Sequence, residues 1–77
     1  MITQHELFEF IAQDQDLDSA GWTLETTLDS LGIDSLARME LVFQLEDQYK
    51  ITIANDDTYV TTMQDVLDLV NKYLPQD

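Results

Sequence analysis

The sequence predicts an all-α domain: a small four-helix bundle of three main helices and one short one, with a long loop between helices one and two. Three observations predict it. Apolar residues recur at helical spacing in separated stretches. Side chains suited to helix caps stand just ahead of those stretches. The only strand-like run, Ile51-Thr52-Ile53, has no second alternating segment to pair with. At 77 residues there is room for one domain with one core, spanning 1–77, and no cysteine is present to staple it.

Thr3 and Glu6 form a capping-box pattern, with Leu7, Phe10 and Ile11 following at helical spacing, which predicts a first helix over about 4–13. Residues 14–33 hold Gly21, Gly32 and many Ser, Thr and Asp residues, with Trp22, Leu24, Leu28 and Leu31 as apolar anchors, so they read as a long ordered loop. From 36 to 49 there is neither Gly nor Pro, and Asp34 stands at the N-cap position, predicting the longest helix. Residues 51–53 read as a packed connector, and 55–60 as a short helical turn with Tyr59 and Val60 facing inward. Thr61-Thr62-Met63-Gln64 is a second capping-box pattern. Met63, Val66, Leu67, Val70 and Leu74 then mark the buried face of a last helix that ends at Pro75.

The net charge of −13, from sixteen carboxylates against Arg38, Lys50 and Lys72, bears on partners. A phosphate backbone or an anionic membrane is repelled by such a surface, so neither nucleic acid nor stable membrane binding is expected. A basic protein surface is attracted instead, in a salt-dependent way. The N-terminus lacks a basic stretch followed by an apolar run, and no apolar segment approaches the roughly 20 residues that span a bilayer. A cytoplasmic monomer is the expectation. Catalysis is not expected, because the single histidine, His5, has no nucleophile near it in sequence.

Asp-Ser-Leu occurs twice, and context separates the copies. Ser30 is followed by Gly32, which interrupts a helix, whereas Ser35 opens the longest one, at the positive end of its dipole beside unpaired N–H groups. A phosphodiester is well placed at such a serine. A plain helix cap uses the same tripeptide, so the residues alone leave both readings open. At about 100° per residue, Leu41, Val42, Leu45 and Tyr49 gather on a core face. Ser35, Leu36, Met39, Glu40, Phe43, Glu46 and Asp47 gather on another, mixing apolar anchors with carboxylates as a docking surface would.

Leu31-Gly32-Ile33-Asp34-Ser35-Leu36, followed by Met39-Glu40-Leu41-Val42 and Leu45-Glu46-Asp47, resembles the signature of the acyl carrier protein family. The resemblance extends over nearly the whole chain, including the long first loop and the Thr-Thr-x-Gln start of the last helix. It implies that Ser35, flanked by Asp34 and Leu36, carries a covalent 4′-phosphopantetheine, added by a phosphopantetheinyl transferase from coenzyme A with Mg²⁺. Acyl intermediates of fatty acid, polyketide or related lipid synthesis would ride on the arm as thioesters. It also implies a second helix, with Arg38, Met39, Glu40, Phe43, Glu46 and Asp47, that meets acyl-loading, condensing and related enzymes through their basic surfaces.

Two departures point to a pathway-specialised carrier. Ala37 and Arg38 replace the acidic-then-polar pair usual in carriers of fatty acid synthesis, and 53–61 is shorter than usual and lacks the common proline, which weakens the short helix. A nonribosomal aminoacyl or peptidyl carrier is the nearest alternative, although such carriers more often have a second glycine before the motif and less negative charge. A more distant one is an acidic calcium-binding adaptor. Asp14, Asp16, Asp18 and Glu25 have the acidic spacing of an EF-hand loop, but Ser19 stands where the turn glycine belongs. Weak divalent-ion binding, without a built metal site, is the expectation for these four residues.

Overall fold

The computed structural model describes residues 1–75, with Asn55 described by its backbone only; residues 76 and 77 of the expected domain lie outside this description. Helix α1 spans Gln4–Gln15, α2 spans Ser35–Tyr49 and α3 spans Met63–Tyr73, with 3-10 turns at Asp29–Leu31 and Asn55–Asp57. No strand forms among the described residues; Thr27 and Thr62 make a single isolated bridge. The short fourth helix is thus one 3-10 turn, and the long loop holds another that periodicity did not predict.

Thr3 caps α1, its hydroxyl accepting the Glu6 N–H at 3.1 Å. The helix runs two residues beyond the predicted end because Asp16 adopts a left-handed conformation and Leu17 N–H donates to the Ala12 carbonyl at 2.8 Å, which absorbs an orphan carbonyl of the last turn. Its buried face is Leu7, Phe8 and Ile11. Phe10, expected in the core, lies only half-buried, edge-on to Tyr49, while Phe8 takes the core place and meets Trp22 edge-on. Burial, and secondarily the Glu6 carboxylate, push the Tyr49 hydroxyl above its ordinary pKa.

The loop over 16–34 lies against the start of α3. Leu28 N–H donates to the Thr61 carbonyl, Met63 N–H to Thr26 and Gln64 N–H to Leu24. Leu28 and Ile33 are buried anchors. The Cα radius of gyration, 11.4 Å, matches the roughly 11.5 Å expected of a compact chain this long, so the loop adds no splayed volume.

Helix α3 begins one residue later than the predicted capping box. Thr62, not Thr61, is the N-cap. Asp65, not Gln64, returns the bond, its Oδ2 accepting the N–H groups of both Thr61 and Thr62. A charged carboxylate on two donors outcompetes a neutral amide, and Gln64 turns instead to Asp68. Met63, Val66 and Val70 are buried as their spacing predicts and Leu69 joins them, while Leu67 and Leu74 are half-buried. Ile51 and Ile53 act as the expected connector, Ile53 being buried. In 55–60 Val60 points inward as expected, but Tyr59 is 79% exposed and Thr58 is buried in its place. Asp57 ties this segment to α3 through the Tyr73 hydroxyl and the Lys72 ammonium, which hold its carboxyl below the ordinary range and raise Lys72 in return.

Candidate functional site

The site grows from the turn that delivers the chain into α2. Leu28 and Ile33 are buried on either side of the Asp29–Leu31 turn, and Ile33 N–H donates back to the Leu28 carbonyl at 3.0 Å. Gly32 closes the turn at φ 79, a conformation that side-chain-bearing residues rarely adopt. Asp34 then caps α2, its Oδ1 accepting the Ala37 N–H at 2.9 Å while its carbonyl accepts the Arg38 N–H at 2.8 Å. Ser35 is therefore the first residue of a 15-residue helix, with first-turn N–H groups lacking intrahelical partners and the dipole favouring negative charge.

The two Asp-Ser-Leu serines are in opposite situations. Ser30 Oγ donates to the Thr27 carbonyl at 2.7 Å, and Ser30 N–H donates to Thr27 Oγ1. Ser35 is exposed, and among the described residues nothing engages its hydroxyl. Leu36 beside it is 70% exposed, an apolar side chain left in water at the mouth of the site.

Along α2, Leu41, Val42 and Leu45 are buried, as their spacing predicts. Glu40 and Asp47 are exposed on the other arc, and Phe43 is 57% exposed, whereas Met39 is half-buried. Spacing puts both apolar side chains on this arc; the structure leaves Phe43 exposed as expected and turns Met39 partly inward. Glu46 faces the connector, accepting the Ile53 N–H at 2.7 Å, so its carboxylate is committed within the fold. Arg38 lies half-buried with its guanidinium carbon 5.8 Å from the centroid of the exposed Tyr59 ring. Its Nε is buried with no hydrogen-bond partner. Tyr59 as a neighbour of Arg38 escaped the sequence reading, because alternation across Thr58, Tyr59 and Val60 decides which side chain turns out, and no helical period reports it.

The acidic residues of the first loop do not converge. Asp14 sits within α1, Asp16 caps it, and Asp18 turns back to accept the Ala20 N–H. Among the described residues no group of three His, Cys, Asp or Glu side chains could hold a metal ion, nor is any helix long and apolar enough to cross a membrane.

An exposed, unengaged hydroxyl at a capped helix N-terminus, one turn from a half-buried cation with an orphaned nitrogen, has the chemistry to hold a covalent phosphodiester. Comparison with known proteins agrees. The family described as "Phosphopantetheine attachment site" matches residues 6–70. The fold is similar to that in the crystal structure of an acyl carrier protein from Thermotoga maritima. That protein is 24% identical, with a TM-score of 0.79, over 90% of this chain and 82% of that one. At this identity the likeness speaks for the fold alone. The family match extends over most of the chain, and the chain belongs to the phosphopantetheine-attachment family, with the role of an acyl or peptidyl carrier and 4′-phosphopantetheine as its covalent group.

Proposed function

We propose that Ser35 is the attachment serine and that the protein is an acyl carrier of fatty acid, polyketide or related lipid synthesis. The observation that carries the site is the contrast between the serines: Ser30 is hydrogen-bonded into its own turn, while Ser35 is exposed and unengaged at the start of α2. When attached, the arm supplies a terminal thiol that holds the cargo as a thioester. The chain itself does simpler work. Asp34 fixes the first turn of α2 and thereby aims Ser35 outward, and the helix dipole favours the added negative charge. Leu36 and Phe43 offer apolar contact and Glu40 and Asp47 offer charge to a transferase and to acyl-chain enzymes with basic rims. The −13 charge supports the acyl over the aminoacyl or peptidyl reading, since the latter carriers are the less acidic.

Incubating the protein with a broad-specificity phosphopantetheinyl transferase, coenzyme A and Mg²⁺ tests the site. Wild type and Ser30→Ala are expected to gain the mass of one arm, and Ser35→Ala none, with circular dichroism confirming that it stays folded. Modification that survives in folded Ser35→Ala would refute the assignment. Intact mass of protein purified from its native cell reads the cargo, and an aminoacyl mass would overturn the acyl reading.

A further inference from the structure

Among the described residues Arg38 is a cation without an anion, in a chain that carries sixteen carboxylates and only two other Lys or Arg side chains. Lys72 pairs with Asp57 at 2.9 Å. Arg38 has no carboxylate within ion-pair distance among the described residues. It is held all the same: half-buried, its guanidinium lies beside the Tyr59 ring, and its Nε is shut away from water without a hydrogen-bond partner. Leaving such a donor unsatisfied is costly, and the planar guanidinium prefers an oxyanion, carboxylate or phosphate, that takes two of its donors at once.

Its position says which anion is meant. Arg38 follows Ser35 by three residues on α2, which places the two about 60° apart around the helix and about 4.5 Å apart along it, so their side chains are neighbours on one face. A phosphodiester on Ser35 would carry its charge into that space. We infer that Arg38, braced by Tyr59, is a positioning residue for the phosphate of the Ser35-linked arm, tethering its root against α2 and the 55–60 segment. The inference rests on Ser35 as the attachment site and goes beyond it. It also gives the exposed Tyr59 a role: stacking under the guanidinium limits its rotamers, so less entropy is lost when the phosphate arrives.

The sign of a stability change tests it. Attaching the arm adds negative charge to a protein already at −13, which by itself lowers the melting temperature through repulsion. With Arg38 engaged, the unmodified and modified forms are expected to melt together, or the modified form higher, at low salt. In Arg38→Gln the modified form is expected to melt below the unmodified one. Arg38→Lys should restore part of the difference, and high salt should shrink it. Modification should also shift the Arg38 Nε–H resonance, a readout that a purely structural role would leave unmoved. Peptide mapping of the mass gain keeps the two claims apart. A gain at Ser35 with the Nε–H resonance unmoved, or with the same modified-minus-unmodified difference in wild type and Arg38→Gln, overturns the role of Arg38 alone. A gain at another residue overturns both.

Discussion

Asp16 and Lys50 end α1 and α2 in the left-handed conformation, at φ 56 and 57, where helices more often place glycine. At Asp16 two costs coincide. A side chain at positive φ strains the backbone, and a carboxylate at the C-terminal end of a helix faces the negative pole of its dipole. Asp14 and Asp18, close by in sequence, add repulsion. Asp16→Asn keeps a side chain that tolerates this conformation while removing the charge, and is expected to stabilise the fold by about 0.5 kcal/mol. Asp16→Gly relieves the strain as well and should give about 1 kcal/mol, or about 4–8 °C in melting temperature for a domain of this size. Urea titration of both variants checks this; an Asn variant no more stable than wild type would show that the Asp16 carboxylate makes a contact that outweighs the dipole. The same residue explains why the EF-hand spacing misleads: Asp14, Asp16 and Asp18 serve a helix, its cap and a local turn, three roles that the spacing of acids alone does not separate.

At the scale of elements, each main helix was visible from its sequence, and the caps of α1 and α2 stand where the sequence puts them, whereas the end of α1 and the start of α3 do not. Helix α2 was legible almost to the residue because a strong cap, Asp34, stands ahead of a long run without glycine or proline. Helix α3 slipped by one because Thr61 and Thr62 are both plausible caps, and the choice depends on where Asp65 finds donors and on the loop carbonyls of Leu24 and Thr26 that bind its first turn. Tyr59 and Met39 were misjudged for a related reason, since their exposure is set by how neighbouring segments pack and not by their own spacing. The Asp65 carboxyl is held below its ordinary range by the backbone N–H groups of Thr62 and Thr61. A depressed folded pKa gives stability that is complete above the unfolded value, about 3.9, and is lost as pH falls through the folded value. Asp65→Asn is therefore expected to cost about 0.5–1 kcal/mol at pH 7, toward the low end because the carboxyl is exposed to solvent. The difference from wild type should narrow below about pH 4. Denaturant midpoints at pH 7 and pH 3 measure it, and a difference that widens toward acid would contradict the cap assignment.

Across the whole molecule the surplus of acid is unevenly committed. Asp57 is paired with Lys72 and Tyr73, Asp65 holds the start of α3 and Glu46 holds the connector, which leaves Glu40 and Asp47 as exposed acids on the arc of α2 that begins at Ser35. Their free carboxylates flank the exposed Phe43, and Leu36 lies at the head of the same helix. Reversing Glu40 and Asp47 to lysine should change fold stability by less than about 1 kcal/mol, because exposed charges contribute little. Attachment of the arm by a transferase should slow, chiefly through the association rate, and the wild-type advantage should shrink as salt rises. Phe43→Ala should behave differently. It removes apolar contact instead of a long-range field, so it is expected to weaken the complex about tenfold, or about 1.4 kcal/mol, by an amount that does not depend on salt. Transferase rates across a salt series separate the two contributions. If the double reversal is modified as fast as wild type at low ionic strength while Phe43→Ala is slow, apolar contact alone guides the partner. If both are modified at the wild-type rate, recognition lies off this face, in the long loop or the 55–60 segment.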